Sequence, residues 1–188
     1  MALRERLAAE LTPPPQVATQ PGVALLERPT ALPRARVVHA ADFVPAGSPA
    51  AERRLAAGAA GWRTRALLET PDGLAPAGWR DAPGPATEAT VVAHGPHRVE
   101  VVARPTRPGW LVLTDAHYPG WTAEVDGRPA PILAAYVAFR AVHLPAGAHR
   151  VVFRYAPASV RTGLGISLGA LMLVLLAVLR RPPPRSAS

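Results

Sequence analysis

The chain contains no cysteine and no lysine. The first absence excludes disulfide staples, cysteine-ligated zinc and thiol chemistry. The second makes every basic side chain an arginine, and together they give a formal net charge of +8. These arginines are scattered, never more than two in a row, in a background rich in Ala, Gly and Pro. A GC-rich coding sequence explains that pattern, and no nucleic-acid partner is expected without a basic stripe or cluster. Also missing are a GxSxG elbow, a phosphate-binding P-loop and a dinucleotide fingerprint. No apolar run follows the first charges, so no signal peptide is expected.

Proline is abundant, at 23 of 188 residues. Proline interrupts helix interiors and central strands, which argues against a helical soluble domain and for many short strands between Pro/Gly turns. Residues 1–30 read as a short amphipathic helix, with Leu3, Leu7 and Leu11 on one face, followed by a stiff linker at Pro13 to Pro15. Val23 to Leu26 is a candidate strand. Arg36 to Val44 is a stronger one, and Ser48-Pro49 begins a helix that should stop near Gly58 or Gly61. Arg65 to Glu69, Ala89 to Ala93, Arg98 to Ala103 and Trp110 to Thr114 are further strands.

The densest signals lie between Leu111 and Tyr155. Trp121 to Val125 alternates, Asp126-Gly127 marks a tight turn, and Pro129 and Pro131 suggest an edge position. Val137 to Leu144 is another strand. In the last one, His149, Val151, Phe153 and Tyr155 share a face. The expected fold is mainly β: an antiparallel β-sandwich or jelly-roll-like domain over residues 31–157, followed by one C-terminal transmembrane helix over residues 160–180 and a Pro/Arg tail at 181–188.

Thr162 to Leu179 carries no charge. Eighteen helical residues cover about 27 Å, against a hydrocarbon core of about 30 Å. Arg161 and Arg180-Arg181 bracket the segment and can snorkel to the interfaces. The arginines on the two sides balance, so charge does not set the orientation. Thr162, Gly165 and Gly169 fall on one helix face and suit close packing against another membrane helix.

Among chemical candidates, Asp115, Glu124 and Asp126 are the carboxylates nearest to forming a general acid/base pair. Asp115 and Asp126 fit strand-end and turn roles, and no catalytic residue is assigned. The histidines, including His94 and His97 around Gly95-Pro96 and His117, His143 and His149 on or beside strands, lack metal-site spacing, so neither a metal nor a cofactor is expected. Tyr118, Trp121 and Arg140 join aromatic faces to a guanidinium, which suits sugar rings or the phosphates of an anionic polymer. The same Tyr118-Pro119-Gly120-Trp121 run also fits a turn whose aromatics plug the end of a sandwich.

The ordered series LVLTDAHYPGW, VDGRPAPI, AFRAVHL, PAGAHRV and FRYAP leading into an apolar helix, with ERPTALPRARVV upstream, resembles the C-terminal part of YfhO-like bacterial membrane proteins. The resemblance covers about Ala24 to Leu179. It implies a relation to large polytopic, GT-C type glycosyltransferase-like proteins that use lipid-linked sugars to modify envelope polymers. It further implies a β domain outside the cytoplasmic membrane of a bacterium. The catalytic carboxylate of such proteins belongs to an N-terminal multi-helix region with no counterpart here. The resemblance therefore implies an accessory module without its own catalytic centre, in the bilayer beside the helices of an upstream or split polytopic partner and in reach of envelope glycopolymer. An independent carbohydrate-binding membrane protein, a truncated structural fragment and a tail-anchored cytoplasmic protein are the alternatives.

Overall fold

A computed structural model describes residues 16–20, 23–26, 31–57 and 61–179, without the side chains of 16–20, 23–26, 161 and 177–179. The helix expected at Ala2 to Leu11, the Pro13 to Pro15 linker and the tail lie outside the described residues. β1 (Gln16–Gln20) and β2 (Val23–Leu26) pair antiparallel as a hairpin within a first unit, residues 1–33.

The second unit is built on β3 (Ala35–Val38), β4 (Ala40–Pro45), α1 (Pro49–Ala56), β5 (Arg65–Thr70), β6 (Thr87–His94), β7 (Arg98–Ala103), β8 (Gly109–Leu113), β9 (Trp121–Val125), β10 (Arg128–Ala130), β11 (Leu133–Ala135), β12 (Phe139–Leu144), β13 (His149–Tyr155) and α2 (Ala158–Leu179). The strands form one curled sheet in the order β10-β9-β13-β7-β6-β3-β8-β12-β11-β5-β4.

Two apolar clusters hold the sheet, and period-2 alternation decides which residues enter each. In β8, Leu111 and Leu113 join Val37, Val99, Val101, Val142, Leu144, Val151 and Phe153 between the two arms of the curl. Trp110 and Val112 join Val38, Val44, Leu68 and Ala141 on the opposite face, beneath α1. Each such fully buried Val, Leu or Phe contributes about 1.5–3 kcal/mol relative to exposure.

The mainly β fold with a C-terminal apolar helix is as expected, while the arms are joined rather than separate. β6 makes the corner: Thr87 and Glu88 pair with β3, whereas Ala89 to His94 pair with β7. A register shift between Val91 and Ala93 bends the strand, as bulges do. The sheet is also mixed, because β4 and β5, linked through α1, run parallel.

The Arg36 to Val44 run breaks at His39, whose ring is buried and bonded to the Pro108 carbonyl (2.9 Å) and the Thr87 hydroxyl (2.9 Å). The β12 strand starts at Phe139, later than the expected Val137. Tyr136 and Val137 take φ of 49° and 67°, a turn that β-branched and bulky residues rarely enter. Asp126 and Gly127, at φ 51° and 78°, close the β9–β10 hairpin as a two-residue turn. β10, which carries Pro129, is at the sheet edge, where a missing N–H costs no ladder bond.

α2 begins at Ala158, four residues ahead of the expected apolar run, and its described side chains are exposed. It is long and apolar enough to cross a bilayer, by length and composition. Adding a Cβ at Gly165 or Gly169 meets nothing within 4 Å, so this small-residue face is open. Thr162 donates its hydroxyl back to the Ala158 carbonyl (3.1 Å).

Candidate functional site

Alternation along β12 sends Arg140, like Val142 and Leu144, toward the core between the arms. It is 2 % exposed. A guanidinium there needs a counter-charge. Asp115, just past the end of β8, supplies it: Arg140 Nη2 donates to Oδ2 at 3.1 Å. The other carboxylate oxygen accepts from Arg34 Nε (2.9 Å) and Nη2 (2.7 Å). Thr114 holds this junction, its backbone N–H (2.9 Å) and hydroxyl (3.1 Å) both donating to the Arg34 carbonyl. Two guanidiniums and one carboxylate leave the group with one net positive charge.

The Arg140 guanidinium lies 3.7 Å from the Trp121 ring centre and 5.3 Å from that of Phe153. Such a stack is worth about 2 kcal/mol when desolvated. Tyr118 meets Trp121 edge-on (6.1 Å, 72°), and Tyr155 contacts both rings (5.2 and 5.3 Å). Gly120, at φ 106°, lets the turn fit: a Cβ there would come within 2.8 Å of the Tyr155 ring. On the other side, the β6–β7 turn is closed by the Gly95 N–H on the Arg98 carbonyl (2.8 Å). It is tied to β13 by the Tyr155 N–H on the His97 carbonyl (2.9 Å).

Between these walls lies a cleft of about 380 Å³, lined among others by Arg34, Asp115, Tyr118, Trp121 and Arg140, with His94 to Pro96 at its side. Beneath its surface, Arg140 Nε and Nη1 and Trp121 Nε1 are buried without an acceptor among the described residues. Burial pulls the Arg140 pKa below its ordinary value, while Asp115 and Tyr118 act to restore it. His117 is also held below the usual histidine value, first by burial and then by the Arg140 charge, with Glu69 opposing.

Tyr118, Trp121 and Arg140, grouped as one candidate in the sequence, all line this cleft. Of the carboxylate candidates, Asp115 shares the cleft and the other two lie elsewhere. Asp126 is at the opposite end of β9, accepting from the Arg150 N–H (2.8 Å) and the His149 ring (2.7 Å). Glu124 faces Arg154 at 3.7 Å. Asp115 bridges two arginines, an arrangement that fixes it as a counter-ion. Among the described residues no cluster of three or more His, Asp or Glu could hold a metal. Thr162, Gly165 and Gly169 are on α2, outside the cleft. Sequence reasoning missed Arg34, which reaches Asp115 from 81 positions away with no local signal to mark it.

A sequence model of the bacterial membrane protein YfhO family matches residues 87–167, from the start of β6 into α2. No curated protein and no solved structure matches the chain.

Proposed function

From a chain that is YfhO-like over residues 87–167 and membrane-associated through its apolar helix, we propose an accessory module of a cell-envelope glycosyltransferase. In this reading the β domain stands outside the cytoplasmic membrane and has no catalytic centre of its own. Catalysis belongs to the helices of a polytopic partner, against which the open Thr162, Gly165 and Gly169 face of α2 packs. The domain contacts the envelope glycopolymer through Tyr118, Trp121 and Arg140.

One observation carries the reading. The cleft joins an exposed aromatic ring to a net positive charge at the point where the chain leaves the β domain for the helix, and its single carboxylate is already committed to two arginines. That chemistry holds sugar rings and anions, and a carboxylate shared by two arginines is not free to act as a general base.

Trp121→Ala in the full chain tests it. Loss of glycopolymer binding with an unchanged melting profile supports a ligand site; loss of the fold shows that the aromatics only plug the domain. Protease added to intact spheroplasts tests the placement, since a β domain that stays protected behind a sealed membrane contradicts the outside assignment.

A further inference from the structure

We propose that the floor of this cleft takes the phosphodiester headgroup of an anionic membrane lipid, which fixes the β domain on the bilayer surface. The inference rests on the reading of the cleft as a ligand site and adds where the ligand resides.

The first argument is position. Tyr155, whose ring packs against the cleft residues Tyr118 and Trp121, is separated from the first residue of α2 only by Ala156 and Pro157. The Ala156 N–H donates to the Gly120 carbonyl at 2.8 Å, so the Tyr118 to Trp121 turn is bonded to the root of the helix. Three residues reach about 10 Å at most. At 22 residues, α2 extends about 33 Å and brings its ends to the interfaces of a core about 30 Å thick. The cleft therefore opens at the depth of the lipid headgroups, the level at which Tyr and Trp concentrate in membrane proteins.

The second argument is chemistry. The cleft keeps one positive charge after Asp115 is counted, with Arg34 at its rim, its side chain 43 % exposed, and Arg140 at its floor. Three buried donors, two on Arg140 and one on Trp121, have no acceptor among the described residues. An ionised phosphodiester offers only acceptors and one negative charge, and it matches the fork of a guanidinium. A neutral sugar supplies no counter-charge. Tyr118, at 42 % exposed, lines the same cleft and offers its ring to the group beside the phosphodiester.

The test uses the full chain labelled with fluorotryptophan in neutral detergent micelles. Its Trp121 fluorine signal is assigned by its loss in Trp121→Phe. Short-chain phosphatidylglycerol should move that signal saturably, and phosphatidylcholine should not. Arg34→Gln, an exposed change that leaves the other tryptophan signals in place, should weaken the effect about tenfold, and Tyr118→Ala should also alter it. Equal movement with phosphatidylcholine, or indifference to Arg34→Gln, overturns the proposal. Glycerol phosphate acting at the same concentration as the lipid also overturns it, by showing a soluble source. A glycopolymer that moves the signal where phosphatidylglycerol does not sinks the lipid inference and keeps the ligand site. Silence toward all of these ligands sinks both.

Discussion

Two buried arginines flank the central strand β8 and face opposite sides of the sheet. Arg140, in β12, points between the arms and has the Asp115 carboxylate. Arg36, in β3, is 3 % exposed on the α1 side, and among the described residues no carboxylate lies within ion-pair distance of it. Among the described residues its Nη2 reaches only the Trp62 carbonyl and the Tyr136 hydroxyl, both at 3.3 Å, and its guanidinium carbon lies 5.7 Å from the Tyr136 ring centre. Tyr136 in turn donates to the Arg65 carbonyl at 2.7 Å, and burial raises its pKa despite the arginine. The comparison separates two uses of a buried charge. Arg36 ties neutral groups of a turn together, and an apolar residue of similar length could fill its place. Arg140 is held as a charge by a carboxylate that a second arginine shares, next to an open cleft.

Breaking the charged side should have the largest effect. Asp115→Ala leaves Arg140 buried without a counter-ion and should lower the unfolding free energy by about 3–5 kcal/mol, measured by denaturant unfolding of the full chain in micelles. Gly120→Ala comes next. It forces a Cβ onto the Tyr155 ring and Pro157 at φ 106°, and should cost about 2 kcal/mol in the same assay. Arg36→Met should change stability by no more than about 1 kcal/mol in either direction, because an apolar side chain replaces a charge without an ion partner. A cost matching that of Asp115→Ala would erase the distinction between the two arginines.

The smallest effect is on pH. His117 has a folded pKa below its ordinary 6.5, so the unfolded chain takes up the proton first. Its contribution is complete above pH 6.5 and is lost as pH falls from there through the folded value. The melting temperature should therefore fall on acidification from pH 8 to 5, and fall less in His117→Gln. Arg140→Met should also flatten the profile, since it removes one of the two causes of the lowered pKa. Asp126 adds a second step in more acidic solution. The Arg150 backbone N–H and His149 hold it below its usual 3.8, so its contribution is present above that value and lost below it.

How much was legible in the sequence depends on how local each signal is. The alternation from Trp121 to Val125 and the Asp126-Gly127 turn depend on neighbouring residues, and both reappear as β9 and its hairpin. The break at His39 depends on Thr87 and Pro108, 48 and 69 positions away. The corner in β6 depends on which partner each half of that strand finds. Neither leaves a periodic trace. In the cleft, aromatic and arginine residue types marked Tyr118, Trp121 and Arg140. Arg34 and the bridging role of Asp115 arise only when the start of β3 is laid beside the end of β8.

The placement of the cleft at the bilayer can be measured directly, and the absence of cysteine allows a single spin label at any chosen site. Tyr118 lies at the helix end of β9, whereas the exposed Arg128 follows the hairpin at its far end, about 17 Å away along five residues of strand. Nitroxides on Tyr118→Cys and Arg128→Cys, in vesicles carrying a paramagnetic nickel chelate on the lipid headgroup, should differ. Strong relaxation at position 118 and little at 128 is the predicted result. Equal relaxation at the two positions, or stronger relaxation at 128, would contradict a cleft that opens onto the membrane.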